Sequence, residues 1–188
     1  LSPIMSSDRQ RQQKDYTEEV NEFVPKYLEP LEGGNKPSAL PEVIANLLAL
    51  EKKTRLAVDA KSTITVCKAI IDACLNAKDY KALNEQISIL TKRRAQIQKV
   101  IESVIQHGTR IAKEMNTSEP GMESIQRELI ETLRTVSSGK MFVELERAQL
   151  TKILADMEEK NGKVKEAADI LQEIQVETIG SMDVQEKA

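Results

Sequence analysis

Four times along this chain the same spacing of apolar residues returns, at intervals of 40 to 42 residues. The first copy is Leu40, Val43, Leu47 and Leu50. The second is Tyr80, Leu83, Ile87 and Leu90, and the last is Val164, Ala167, Leu171 and Ile174. A weaker copy, Met122, Ile125, Leu129 and Thr132, lies between them. Steps of three and four place side chains on one face of an α-helix. A period near 40 holds two antiparallel helices and their turns, the unit of a helical solenoid. The pattern therefore predicts an all-α chain: a right-handed α-solenoid of antiparallel helix pairs, TPR-like in design. No stretch alternates apolar and polar residues with β-branched enrichment, so no sheet is expected.

Segment boundaries follow from punctuation. Residues 1–13 are polar and read as a disordered tail, leaving 14–188 for the solenoid. A first helix from about Asp15 presents Tyr16, Val20, Phe23, Val24, Tyr27 and Leu28; Pro25 should kink or divide it, and Pro30 lies near its end. Gly33 to Pro37 reads as a loop, with Ser38 as a cap for the next helix and Pro41 in its first turn. Ile64, Cys67, Ile70, Ile71, Cys74 and Leu75 mark another helix, closed by a turn over Asn76 to Asp79. Residues 80–115 hold no Gly or Pro before Gly108, so they form one long helix or two, with Thr91 as a possible cap for the second. Asn116 to Gly121 is a loop, and helices follow near 123–136, 141–160 and 163–176. Ala167 and Ala168 should let a neighbouring backbone approach closely. Leu1, with the first Met at position 5, and the turn at Gly180-Ser181-Met182-Asp183 together read as an N-terminal fragment of a longer protein.

The same residues 80–115 support a competing fold. Tyr80, Leu83, Ile87, Leu90, Arg94, Ile97, Ile101, Val104, Gly108, Ile111 and Met115 keep 3-4 steps for five heptads, a coiled-coil seam if taken alone. Arg94 and Gly108 are poor seam residues, and the seam does not explain the copies elsewhere.

Chemistry is sparse. Aromatics are 3% of the chain and Trp is absent, which disfavours an aromatic-lined small-molecule pocket and base-stacking platforms. The net charge of −3 lacks the positive excess that drives nucleic-acid binding. No apolar run is long enough to span a membrane. Cys67 and Cys74 are seven apart on one helix, too distant for a mutual disulfide and too few for a zinc site; they read as small core residues. The single histidine, His107, cannot build a Glu-x-x-His di-metal site and reads as an exposed or capped structural residue. Glu144 and Glu146 point to different sides of their helix and make no carboxylate dyad. No phosphate-loop or nucleophile-elbow pattern is present. The chain is expected to be no enzyme and to need no cofactor or metal.

What remains are cations at equivalent repeat positions: Lys52, Lys53 and Arg55, then Lys92, Arg93 and Arg94 forty residues on, then Arg134 in the weak copy. Cations in a last helical turn complement the helix dipole, worth roughly 0.3 to 1 kcal/mol each. Equivalent positions of a solenoid also line up on one edge, so the seven residues are candidate contacts for an acidic partner surface. A peptide-binding adaptor would present Asn from successive first helices; Asn46 and Asn84 fall two positions out of register for that.

Several runs resemble one family. They are Leu47-Leu48-Ala49-Leu50-Glu51-Lys52-Lys53-Thr54-Arg55, Leu83-Asn84-Glu85-Gln86, Leu90-Thr91-Lys92-Arg93-Arg94, Phe142-Val143-Glu144-Leu145-Glu146-Arg147-Ala148, and the run from Glu166 to Thr178 followed by Gly180-Ser181-Met182. Over about Lys14 to Lys187 the chain is similar to a family of proteasome regulatory-particle lid subunits of the PCI type. Ile179, where the family has an aromatic, and the Gly33 to Pro37 loop depart from it. The resemblance implies a non-catalytic scaffold in cytoplasm and nucleus, with a helical-repeat arm ahead of a PCI domain absent from this sequence. It implies the other lid subunits, the ATPase base and the core particle as partners, and no nucleic acid, membrane or small-molecule substrate. A subunit of the related signalosome is the close alternative.

Overall fold

The computed structural model describes residues 11–32 and 37–174. Over them the chain is helical, with no strand. In order, the elements are α1 (Thr17–Leu28), α2 (Leu40–Leu56), α3 (Ala60–Asn76), α4 (Tyr80–Lys92), α5 (Gln98–Glu114), α6 (Met122–Ser137) and α7 (Glu144–Lys160). A last helical stretch, α8, covers 164–174. Short 3-10 turns occupy Glu29–Leu31, Pro37–Ala39 and Met141–Val143. The all-α expectation holds. The four copies of the repeat coincide with α2, α4, α6 and α8, and each copy's first residue is the first residue of its helix.

Contacts divide the chain into two compact units. One contains residues up to Asp79 with Arg93–Ile101; the other contains Tyr80–Lys92 and the residues from Glu102 onward.

In the first unit, α2 and α3 form a hairpin and α1 packs on both. Val43, Leu47 and Leu50 meet Val66, Cys67, Ile70, Ile71 and Cys74 in a core where each is 3% exposed or less. The hairpin turn puts Val58 at φ +57°, an unusual conformation for a β-branched residue. The Asp59 side chain next to it caps α3, accepting from Ser62 N–H at 3.1 Å, and also accepts from Tyr16 N–H at 2.7 Å. One short carboxylate thus ties α1 to the α2–α3 turn. Gln13 N–H donates to the Ala57 carbonyl at 2.8 Å, so the last residue of the expected disordered tail is held to the fold; residues 1–10 lie outside the described residues.

In the second unit, α6 packs between α4 and α7. Its core holds Leu83, Ile87 and Leu90 of α4, Leu129, Ile130 and Leu133 of α6, and Leu150 and Leu154 of α7. Gly108 of α5 faces Leu133: a Cβ there would lie 2.6 Å from the leucine's nearest Cδ. The buried Gln126 side chain donates to the Ala112 carbonyl of α5 at 2.8 Å.

Several local expectations are corrected. Of the two arrangements left open for residues 80–115 the structure has two helices, interrupted over 93–97 with Ala95 at φ +58°, so the five-heptad seam does not form as one helix. Thr91 caps nothing; buried inside α4, its hydroxyl donates back to the Ile87 carbonyl at 2.8 Å. Ser38 lies in a 3-10 turn, and Ala39 is the N-terminal flank of α2 with no side-chain cap. Pro25 does not divide α1, which runs past it to Leu28. Ala167 is buried, but Ala168 is exposed. In the last copy Val164 and Leu171 are 65% and 42% exposed, whereas the matching residues of α2 and α4 are buried or half-buried. The Gly33–Lys36 part of the loop, Ile179 and the turn at Gly180 lie outside the described residues.

Candidate partner-contact surface and its buried anchor

The C-terminal end of α2 carries Glu51, Lys52, Lys53 and Arg55. On an α-helix Glu51 and Arg55, four apart, share one face, while Lys52 and Lys53 point away from it, so the two pairs meet different surroundings. Glu51 faces inward and is fully buried. A carboxylate taken out of water must be met by cations and donors. Arg55, one turn on and 8% exposed, donates its Nε–H to Glu51 Oε1 at 2.9 Å. The Gln96 side-chain amide donates to the same oxygen at 3.2 Å. Arg93 Nε lies 3.8 Å from Glu51 Oε2. Arg55 also donates from Nη1 to the Arg94 carbonyl at 2.7 Å. One buried carboxylate therefore has three partners, two of them from the interruption between α4 and α5, and all four groups belong to the first unit.

This sorts the seven sequence-nominated cations. Arg55 is inside the fold, bound to Glu51. Arg93, one-third exposed, leans on the same carboxylate. Lys53 is exposed and pairs with Glu19 of α1 at 2.9 Å. Arg134, 19% exposed, pairs with Glu173 of α8, and its carbonyl accepts from Arg147 Nη1 at 2.6 Å. Lys52, Lys92 and Arg94 are exposed. Glu51 itself was not singled out from the sequence. The available signal was its place among buried positions, four residues after Leu47 and four before Arg55.

Other charged contacts brace the second unit. Glu158 of α7, 5% exposed, takes a hydrogen bond from Arg127 of α6, with Lys163 Nζ 3.4 Å from its other oxygen. The Arg127 bond, with help from Lys163, holds the Glu158 carboxyl below its ordinary value. His107 is buried, against the expectation of an exposed residue, and its Nδ1 lies 3.1 Å from Arg110 Nη2. Glu146 accepts from the Gln106 side chain at 3.0 Å. Among the described residues no group of three or more His, Cys, Asp or Glu is placed to hold a metal ion. No helix there is long and apolar enough to cross a membrane.

Both cysteines are free and buried on α3. Burial pushes the Cys67 thiol up, and the Glu51 charge adds to it. Burial and the charge of Asp79 push Cys74 up to about 12. The thiolate is the reactive form. At pH 8 iodoacetamide should therefore alkylate the native chain on the order of a thousandfold more slowly than the urea-unfolded chain. Labelling followed by mass spectrometry reads this directly; equal rates would show that α3 is open to solvent.

The family model described as PSMD12/CSN4, N-terminal, matches residues 42–188. Among curated relatives, 26S proteasome non-ATPase regulatory subunit 12 homolog A of Arabidopsis thaliana is 43% identical over 148 residues, 79% of this chain and 32% of that protein. The Dictyostelium discoideum 26S proteasome non-ATPase regulatory subunit 12 is 41% identical over 152 residues, 81% of this chain and 33% of its own. The 26S proteasome regulatory subunit RPN5 of Saccharomyces cerevisiae is 39% identical over 174 residues, 93% of this chain and 37% of its own. The chain thus spans about a third of the length of these relatives. The match takes in Glu51, Arg55, Arg93 and Gln96, and it begins two residues inside α2, where the repeat begins. The chain belongs to the PSMD12/CSN4 N-terminal family.

Proposed function

We propose that this chain is the helical-repeat arm of a non-catalytic subunit of the 26S proteasome regulatory-particle lid, acting in ubiquitin-dependent protein degradation by holding other subunits. The observation that carries this reading is the agreement between the family match and the period. The region matched opens inside the helix that begins at Leu40 and holds those that begin at Tyr80, Met122 and 164, at intervals of 40 to 42 residues. In this reading successive pairs stack as a right-handed solenoid, each pair covering the apolar face of the one before. The arm works by rigidity and surface complementarity, without catalysis or cofactor, in cytoplasm and nucleus. Its partners are lid subunits, the ATPase base and the core particle. The proteasome is favoured over the signalosome because the relatives quoted carry proteasome names.

The exposed cations Lys52, Lys92 and Arg94 are the proposed contacts with an acidic partner surface, and Lys53 and Arg134 are further candidates as paired, partly available charges. Arg55 and Arg93 contribute indirectly, by fixing the backbone that presents Arg94. The test is charge reversal of the three exposed residues together, Lys52→Glu, Lys92→Glu and Arg94→Glu, in the chain joined to the remainder of a yeast-type relative. Competition with the unmodified protein for incorporation into regulatory particles should fall about tenfold. The melting temperature should move by no more than about 2 °C, because surface charges away from buried partners contribute little. Parallel loss of both, or of neither, removes the docking assignment. Recovery of the tagged protein with signalosome subunits instead of lid subunits removes the proteasome reading itself.

A further inference from the structure

The interruption between α4 and α5 falls where the sequence least favours one. Residues 92–96 are Lys, Arg, Arg, Ala and Gln, all near the top of the helix-propensity order. The apolar spacing on either side would continue in step through a single helix from Tyr80 to Met115. Yet 93–97 are not helical, and Ala95 sits at φ +58°, a region that costs any residue with a Cβ. Local preference and observed conformation disagree, so something outside the segment decides between them.

The deciding contacts come from α2. In an uninterrupted helix the Arg94 carbonyl would accept from the backbone of residue 98; here the Arg55 guanidinium takes that place, at 2.7 Å. Gln96 turns its side chain to Glu51, at 3.2 Å, while its N–H bonds the Arg93 carbonyl three residues back, at 3.1 Å. The clamp also has slack. Glu51 Oε2 and Arg93 Nε are buried without a hydrogen bond and stand 3.8 Å apart.

We infer that the Glu51–Arg55 pair is a latch that holds residues 93–97 out of the helix their own sequence prefers, making this segment a two-state element: bent when latched, continuous with α4 and α5 when released. Glu51 and Arg55 are positioning residues in this device. Ala95 is the residue whose conformation reports the state. The inference stands on the geometry of the first unit alone and does not rest on the proteasome reading.

Backbone NMR of the 188-residue chain tests it. In the native sequence Cα shifts at 94–97 should depart from helical values. Glu51→Gln removes the charge that gathers Arg55, Arg93 and Gln96. It should move those shifts into the helical range and slow amide exchange at 95–99 by about tenfold. Adding Ala95→Gly should restore the bent pattern, because glycine adopts positive φ without steric cost. A role limited to general stability would not be reversed by that second change. If Glu51→Gln does not fold, Ala95→Val makes the same measurement without touching a buried charge. Valine is worse than alanine at φ +58°, so helical shifts should grow. The latch is overturned if 93–97 remain non-helical in the variant that folds, or if Ala95→Gly fails to restore the bend in Glu51→Gln.

Discussion

Replacing Arg55 by alanine is expected to lower the free energy of unfolding by about 3–5 kcal/mol, the cost of leaving a buried charge without its partner. Whole domains are stable by about 5–15 kcal/mol, so this one truncation removes a large share. Two effects add. Glu51, fully buried, keeps only the Gln96 amide and the distant Arg93. The Arg94 carbonyl loses the guanidinium that it bonds in the native structure. The loss is specific to the broken pair. Exchanging both residues for apolar ones of similar shape, Glu51→Leu with Arg55→Met, should recover most of it, because neither buried charge is then left alone. Truncating Lys53, whose ion pair with Glu19 is exposed, should leave the urea midpoint nearly unchanged. Urea titration of the four proteins settles the ordering. An Arg55→Ala midpoint no lower than that of Lys53→Ala would show that the pair does not hold the fold.

Gly108→Val is expected to cost about 3 kcal/mol, the upper part of the range for overpacking a filled core. On an exposed helix the same change would be slightly favourable, since glycine is a poor helix former by about 1 kcal/mol. Space reverses the sign. The new Cβ would stand 2.6 Å from Leu133 Cδ2 and 3.3 Å from Cδ1. Leu133 is fully buried, so turning it aside must displace other core side chains. The close approach also serves the Gln126 bond to Ala112, four residues along α5. Shortening the leucine should rescue the valine. In a double-mutant cycle Leu133→Ala and Gly108→Val should be less harmful together than the sum of their separate costs, with a coupling of about 1–2 kcal/mol. Strict additivity would mean that the two side chains do not compete for the same space.

These two residues show where the sequence was readable. The helix starts at 40, 80, 122 and 164 follow from local spacing, because a face that must be buried recurs at 3.6-residue intervals regardless of what buries it. Gly108 did not fit the coiled-coil pattern, and that misfit was its signal; α6 provides the reason. The interruption at 93–97 had only one weak local signal, Arg94 in the apolar seam. Its residues favour helix, and the group that decides otherwise, Glu51, lies some 45 residues earlier in the chain. The cations were legible as a set and illegible as individuals. Arg55 and Lys52 look alike in sequence, yet one meets a buried carboxylate and the other meets water. Ser38, Thr91 and His107 were misread for a related reason. Each has a side chain that can serve a helix end, and tertiary packing put Thr91 and His107 inside helices instead.

Within a single chain α2 buries its apolar face against α3, and α6 buries its own against α4 and α7, so residues 80–115 are not one strand of a coiled coil. Size-exclusion chromatography with multi-angle light scattering of the 188-residue chain tests this most directly. A mass of 21.1 kDa, unchanged on dilution, is the predicted result. A species of twice that mass, lost when Leu83, Ile87 and Leu90 are made polar and otherwise stable to dilution, would contradict it.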